Sequence, residues 1–72
     1  MKKPSLTKVE SSNIEAIGHD NNGLWVRFNG GSLYRYPDAP KSIHDDMLKA
    51  ESVGRFFFSK VKGKYHHRTV DE

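Results

Sequence analysis

Along Leu24-Trp25-Val26-Arg27-Phe28 the side chains alternate: Leu24, Val26 and Phe28 fall on one face of an extended chain, Trp25 and Arg27 on the other. A period of two marks a strand. Upstream, Ile14 to His19 carries Ile14, Ala16, Ile17 and Gly18 and runs into Asp20-Asn21-Asn22-Gly23. Asn and Gly tolerate the positive φ of tight turns, so the pattern predicts a preceding strand joined by a hairpin, with Gly18 as a candidate bulge. Downstream, Asn29-Gly30-Gly31 leads into Ser32-Leu33-Tyr34-Arg35-Tyr36, and Pro37 ends that strand because it has no N–H to donate.

Two registers compete for this second hairpin, and a slip of one residue exchanges the faces of every side chain. A two-residue turn sets Leu33 and Arg35 beside Val26 and both tyrosines beside Trp25. A three-residue loop with Gly31 left-handed aligns Tyr34 and Tyr36 with Leu24, Val26 and Phe28. The second is favoured, because the first buries Arg35 without a partner.

The period then changes. Ile43, Met47, Leu48 and Ala50 recur at helical spacing after Asp38-Ala39-Pro40, with His44, Asp45, Asp46 and Lys49 on the wet side, which predicts a helix over Pro40 to Glu51. Ser52-Val53-Gly54 interrupts it, with Gly54 either a left-handed cap or an early residue of a helix capped by Ser52. Val53, Phe57, Val61 and Tyr65 recur every fourth residue, predicting a second helix from Arg55 to Lys62 that ends at Gly63. The expected fold is α+β: a three-stranded antiparallel meander followed by two short helices packed on one face, with the other face open. Residues 1–11 read as a flexible leader, 12–65 as a single domain and 66–72 as a polar tail.

Composition narrows the function. With 72 residues and 35% of them hydrophobic, nearly every large apolar side chain is needed for packing, which argues against a deep catalytic pocket. No cysteine is present, so disulfides, thiolate metal sites and cysteine nucleophiles are excluded. No apolar run reaches the ~20 residues of a membrane helix, and the start lacks the apolar stretch of a secretory signal, so a cytoplasmic location is expected.

The series Ser12-x-Ile14, Ala16-Ile17-Gly18-x-Asp20, Leu24-x-Val26-x-Phe28, Gly31, Tyr34-x-Tyr36, Pro40, Ala50-x-Ser52-x-Gly54, Phe56-Phe57 and Val61 resembles the KTSC domain. That module occurs at the C-terminus of some lysyl-tRNA synthetases and as free-standing bacterial and phage proteins. Two positions depart from its pattern: His19 replaces a usual tyrosine and Phe58 a usual asparagine. The resemblance implies no agreed catalytic or binding residues; RNA binding is suggested by the attachment to a tRNA-charging enzyme.

Candidate chemistry follows from charge. The net charge of +3 is distributed unevenly, with Arg55, Lys60, Lys62, Lys64 and Arg68 in the C-terminal third. In the favoured register Trp25, Arg27, Leu33 and Arg35 share the open face, where Trp25 would stack on a base while Arg27 and Arg35 meet phosphate. The competing reading has Trp25 packing on its arginine neighbours or against the leader. Tyr34 and Tyr36 serve either as a stacking platform or as core. Lys60, Lys62 and Lys64 extend a phosphate-neutralising surface, or form only a solvated helix face.

The sequence therefore predicts a non-enzymatic module binding RNA or another polyanion through Trp25, Arg27, Arg35, Arg55, Lys60, Lys62 and Lys64. The alternative is a protein-interaction module of phage or prophage origin that makes contact through Trp25, Leu33 and Phe58. No cofactor is called for, and His66-His67 lacks a third metal ligand at useful spacing. A hydrolase using His44 with Asp45 or Asp46 has no further support.

Overall fold

The computed structural model describes residues 2–71. Its sheet has five strands, β1 (Thr7–Lys8), β2 (Ile14–Asp20), β3 (Gly23–Phe28), β4 (Leu33–Tyr36) and β5 (Arg68–Val70), which pair antiparallel in sequence order. Helices α1 (Lys41–Lys49) and α2 (Val53–Lys60) lie between β4 and β5 in the chain. The three expected strands form the centre of this sheet.

The two outer strands come from segments read as leader and tail. Neither has a side-chain period, because β1 and β5 contribute two and three residues. Pairing through backbone N–H and C=O groups requires no such pattern.

The favoured hairpin register is the one observed. Leu24 lies opposite Tyr36, Val26 opposite Tyr34, and Trp25 opposite Arg35. Gly31 adopts φ 98°, the left-handed conformation that the loop demands. Between β2 and β3 the ladder slips by one residue, with Ile14 opposite Phe28 but Ala16 opposite Arg27. The bulge is therefore at Glu15 and not at Gly18. It has a packing consequence: Ile14 and Ile17, three apart, both reach the core.

Gly18 has a different role. A Cβ there would lie 2.7 Å from Leu6 Cδ2 and 2.8 Å from the Ser5 carbonyl oxygen, so the N-terminal segment crosses the sheet where a side chain is missing.

The helices cover the face that presents Ile17, Leu24, Val26 and Tyr36, and close a core with Met47, Val53, Phe57 and Val61. Each such side chain contributes roughly 1.5–3 kcal/mol by leaving water. Pro40 stands as the extended residue before α1, and Ala50 is extended after it, so α1 is shorter than expected at both ends. Leu48, assigned by its spacing to the apolar stripe, is 41% exposed. Ser52 caps α2, its hydroxyl accepting the Arg55 N–H at 3.2 Å, and Gly54 has no positive φ. The capping reading of this junction is the one realised, and it starts α2 two residues earlier than expected.

His44, expected on the wet side of α1, is half-buried. Its ring centre lies 6.0 Å from that of His19. His19 Nε2–H donates to the Ala39 carbonyl at 3.0 Å, and His44 Nδ1–H donates to Asp45 at 3.0 Å. That hydrogen bond, with Lys41 nearby, holds the Asp45 carboxyl below its ordinary range. Among the described residues no group of three or more His, Cys, Asp or Glu side chains could hold a metal ion. No helix is long and apolar enough to cross a membrane.

Candidate aromatic binding groove

The face predicted to be open is closed around Trp25. Trp25 is 0% exposed and Leu33 2% exposed, so neither is available to a partner. The indole N–H donates to Asp20 Oδ1 at 2.8 Å. The Arg35 guanidinium stands 5.9 Å above the indole, while Gly18, opposite Trp25 on β2, receives Leu6 and Ser5. Arg35 also donates to the Asn22 carbonyl at 2.9 Å, and Arg27 to the Gly31 carbonyl at 3.1 Å. Here the competing reading of Trp25 is correct: the ring packs beside Arg35, next to the N-terminal segment. Ser5 and Leu6 lack any periodicity that would announce a covering segment, so the sequence leaves both readings of Trp25 open.

On the helix-bearing face a different surface remains open. A groove of about 750 Å³ runs between α2, the ends of β3 and β4, and residues 63–67. Its floor is aromatic. Phe28 packs edge-on against Tyr34 (5.2 Å) and Phe57 (5.5 Å), and Phe57 meets Tyr36 (5.8 Å) and Phe58 (6.0 Å) in the same manner. Such edge-to-face contacts fix the rings and leave other faces free.

Tyr36 is buried and Tyr34 half-buried against the core, so both rings pack on the helix-bearing face of the sheet. Burial of Tyr36, with Tyr34 close by, pushes its hydroxyl up to about 12. Tyr34 presents a face to the groove, and the His67 ring lies on it at 4.6 Å with only 9° between planes.

The far wall follows from the end of α2. Lys62 N–H bonds to the Phe57 carbonyl and Gly63 takes φ 78°, which turns the chain back; Lys64 and Tyr65 N–H groups then bond to Val61. This brings Tyr65, His66 and His67 over the groove. The fourfold spacing through Tyr65 pointed to its inward position, whereas His66 and His67 read only as tail.

Phe58 is 54% exposed at the rim, and the Lys62 ammonium sits 4.8 Å over its ring. Of the residues singled out in the sequence, Lys62 and Phe58 are thus brought together at the groove. Arg55, Lys60 and Lys64 are exposed but do not line it. Asn29 braces the opposite lip, donating to the Ser11 and Ser12 carbonyls at 3.2 and 2.7 Å just before Asn13 enters the lining.

A second cavity of about 580 Å³ adjoins the groove, sharing His66 and His67 with it and adding Arg35, Pro37, Asp38 and Arg68.

Comparison with known proteins gives a consistent set. The sequence model of the KTSC domain matches residues 10–65. A protein of Tsukamurella paurometabola is 48% identical over 62 residues, covering 83% of this chain and 92% of its own. Lysine–tRNA ligase of Nostoc punctiforme is 34% identical over 62 residues, which is 83% of this chain but 11% of that enzyme. The crystal structure of a KTSC domain protein from Yersinia pestis superimposes with a TM-score of 0.84 at 34% identity, covering 93% of this chain and 97% of that one.

Proposed function

Given that the chain belongs to the KTSC domain family, we propose that it is a non-enzymatic module that binds single-stranded RNA by receiving unpaired bases in its aromatic groove. The observation that carries this reading is the stack on Tyr34: a planar heteroaromatic ring already lies on that face at 4.6 Å and 9°. A base stacked on an aromatic side chain adopts the same geometry, and such stacking tolerates any base because each has a π-face. Lys62 at the rim, with the exposed Lys60 and Lys64 beyond it, supplies attraction for the backbone. The similarity to a segment of lysine–tRNA ligase supports a role near tRNA for the family.

This reading moves the RNA interface from the face of Trp25, Arg27 and Arg35 to the other face of the sheet. Titration with a single-stranded oligouridylate is the test. Affinity is expected to fall with salt at a log-log slope near ~0.7 per phosphate neutralised. Tyr34→Ala and Phe58→Ala should each weaken binding by about 1–3 kcal/mol, while Trp25→Phe leaves it unchanged. No binding at low salt, or full affinity in both groove variants, refutes the reading.

A protein-binding groove is the second reading. The exposure of Phe58 at its rim favours it. Binding of an apolar peptide without salt dependence, together with indifference to RNA, would select it.

A further inference from the structure

The face of Tyr34 that the groove offers to a base already has an occupant from the same chain. The His67 ring lies on Tyr34 at 4.6 Å with 9° between the planes, and it also meets Tyr36 at 5.6 Å, tilted by 48°. The strand register places it there. In the β4–β5 ladder Tyr34 lies opposite Thr69 and Arg35 opposite Arg68, so one residue further His67 comes across from Tyr36. Alternation along the strand then sets His67 on the face of Tyr34 and Tyr36, and Arg68 on the face of Trp25 and Arg35.

Only ring contacts hold the imidazole. His67 is exposed, and its side chain makes no hydrogen bond or ion pair among the described residues. Gly63, at φ 78°, reverses the chain shortly before it, and the three residues of β5 follow it in the ladder. Rotation of the side chain to another staggered rotamer therefore uncovers Tyr34 without breaking a backbone hydrogen bond of the sheet.

A base cannot share that face with His67. Stacked planes lie ~3.5 Å apart, so a base between the two rings needs them ~7 Å apart. The ring centres stand at 4.6 Å. Phe28, which meets Tyr34 edge-on at 5.2 Å, is packed against the core and does not yield in the same way. We propose that His67 is a built-in competitor for the groove: its imidazole occupies the Tyr34 face in the free protein, and a base binds by displacing it. The proposal rests on the RNA reading and adds the regulation of that site. Apparent affinity is the intrinsic affinity multiplied by the fraction of molecules in which Tyr34 is open. A stacked aromatic pair favours the closed state by roughly two- to tenfold, and that factor is withheld from every ligand that uses the face.

Titration of the full chain with oligouridylate, followed by NMR, is the test. In the free protein the His67 ring protons should resonate upfield of those of the exposed His66, shifted by the Tyr34 ring, and Tyr34→Leu should remove most of the difference. Oligouridylate should return them toward the His66 position as it binds. His67→Ala should bind oligouridylate about two- to tenfold tighter than the wild type. His67→Trp, which lays a larger ring on the same face, should bind it more weakly. Both replace an exposed side chain and should fold as the wild type does.

Equal or weaker binding by His67→Ala overturns the proposal, because the imidazole is then idle or part of the ligand site. Binding that leaves the His67 protons upfield overturns it as well. In either case Tyr34-dependent binding of oligouridylate preserves the RNA reading. Displacement of His67 by an apolar peptide, with no response to oligouridylate in the wild type or in His67→Ala, supports self-occupancy of the groove and refutes the RNA reading. A His67 signal that responds to neither probe overturns both.

Discussion

Trp25 and Tyr34 lie on neighbouring strands, on adjacent rungs of the same ladder, and on opposite faces of one sheet. Trp25 is sealed, with its N–H bound to Asp20 and Arg35 above the ring. Tyr34 is partly open and is covered by a histidine from a turn. What separates them is the covering material. Two helices cannot cover a whole sheet face, and between α2 and β4 they leave a trough, whereas an extended segment laid along Gly18 fits tightly because nothing projects there. A larger covering layer therefore leaves the more accessible surface, and the position of a ring in the register says less about its availability than the shape of what lies over it.

The contrast can be broken most directly at Trp25. Trp25→Ala should cost about 3–5 kcal/mol in chemical denaturation, as expected for emptying a fully buried aromatic position. A loss below ~1 kcal/mol would mean the indole is surface material after all.

The helix side is examined by alkaline titration. The Tyr36 hydroxyl has its folded pKa raised to about 12 by burial and by Tyr34. Its contribution is thus fully present below the unfolded value near ~10 and is lost as pH rises through the folded one, on the order of 2 kcal/mol. Tyr36→Phe should flatten the decline in stability over that window.

A smaller change, Gly18→Ala, sharpens the account of the sealed side. The new methyl meets the Ser5 backbone and Leu6, so the N-terminal segment must shift, at a cost of about 1–3 kcal/mol. Hydrogen exchange should then speed up at Thr7 and Lys8, with Tyr34 and Phe58 signals unmoved.

Which parts of this arrangement were legible in the sequence depends on the range of the forces involved. The β3–β4 register was readable because burying Arg35 on the helix side has a large and local penalty, and the second helix because Val53, Phe57 and Val61 recur at a helical period. Three consecutive phenylalanines on one helix cannot all face inward, which leaves Phe58 or Phe56 for the outside, and Phe58 is the exposed one. The burial of Trp25 could not be decided, because the segment beside it, Ser5 and Leu6 at Gly18, is distant in sequence and without pattern. Gly18, read as a candidate bulge, marked the crossing instead. The groove was half visible, through Lys62, Phe58 and Tyr65. Its remaining wall depends on the turn at Gly63 and on a three-residue strand, too short to show alternation.

The outer strands have a consequence for solubility. A sheet of β2, β3 and β4 alone would present two long unpaired edges, each a template for addition of another chain. The two-residue β1 and the three-residue β5 occupy those edges, and both carry a cation, Lys8 and Arg68. Short charged borders of this kind discourage edge-to-edge aggregation. The terminal segments thus act as guards against self-association.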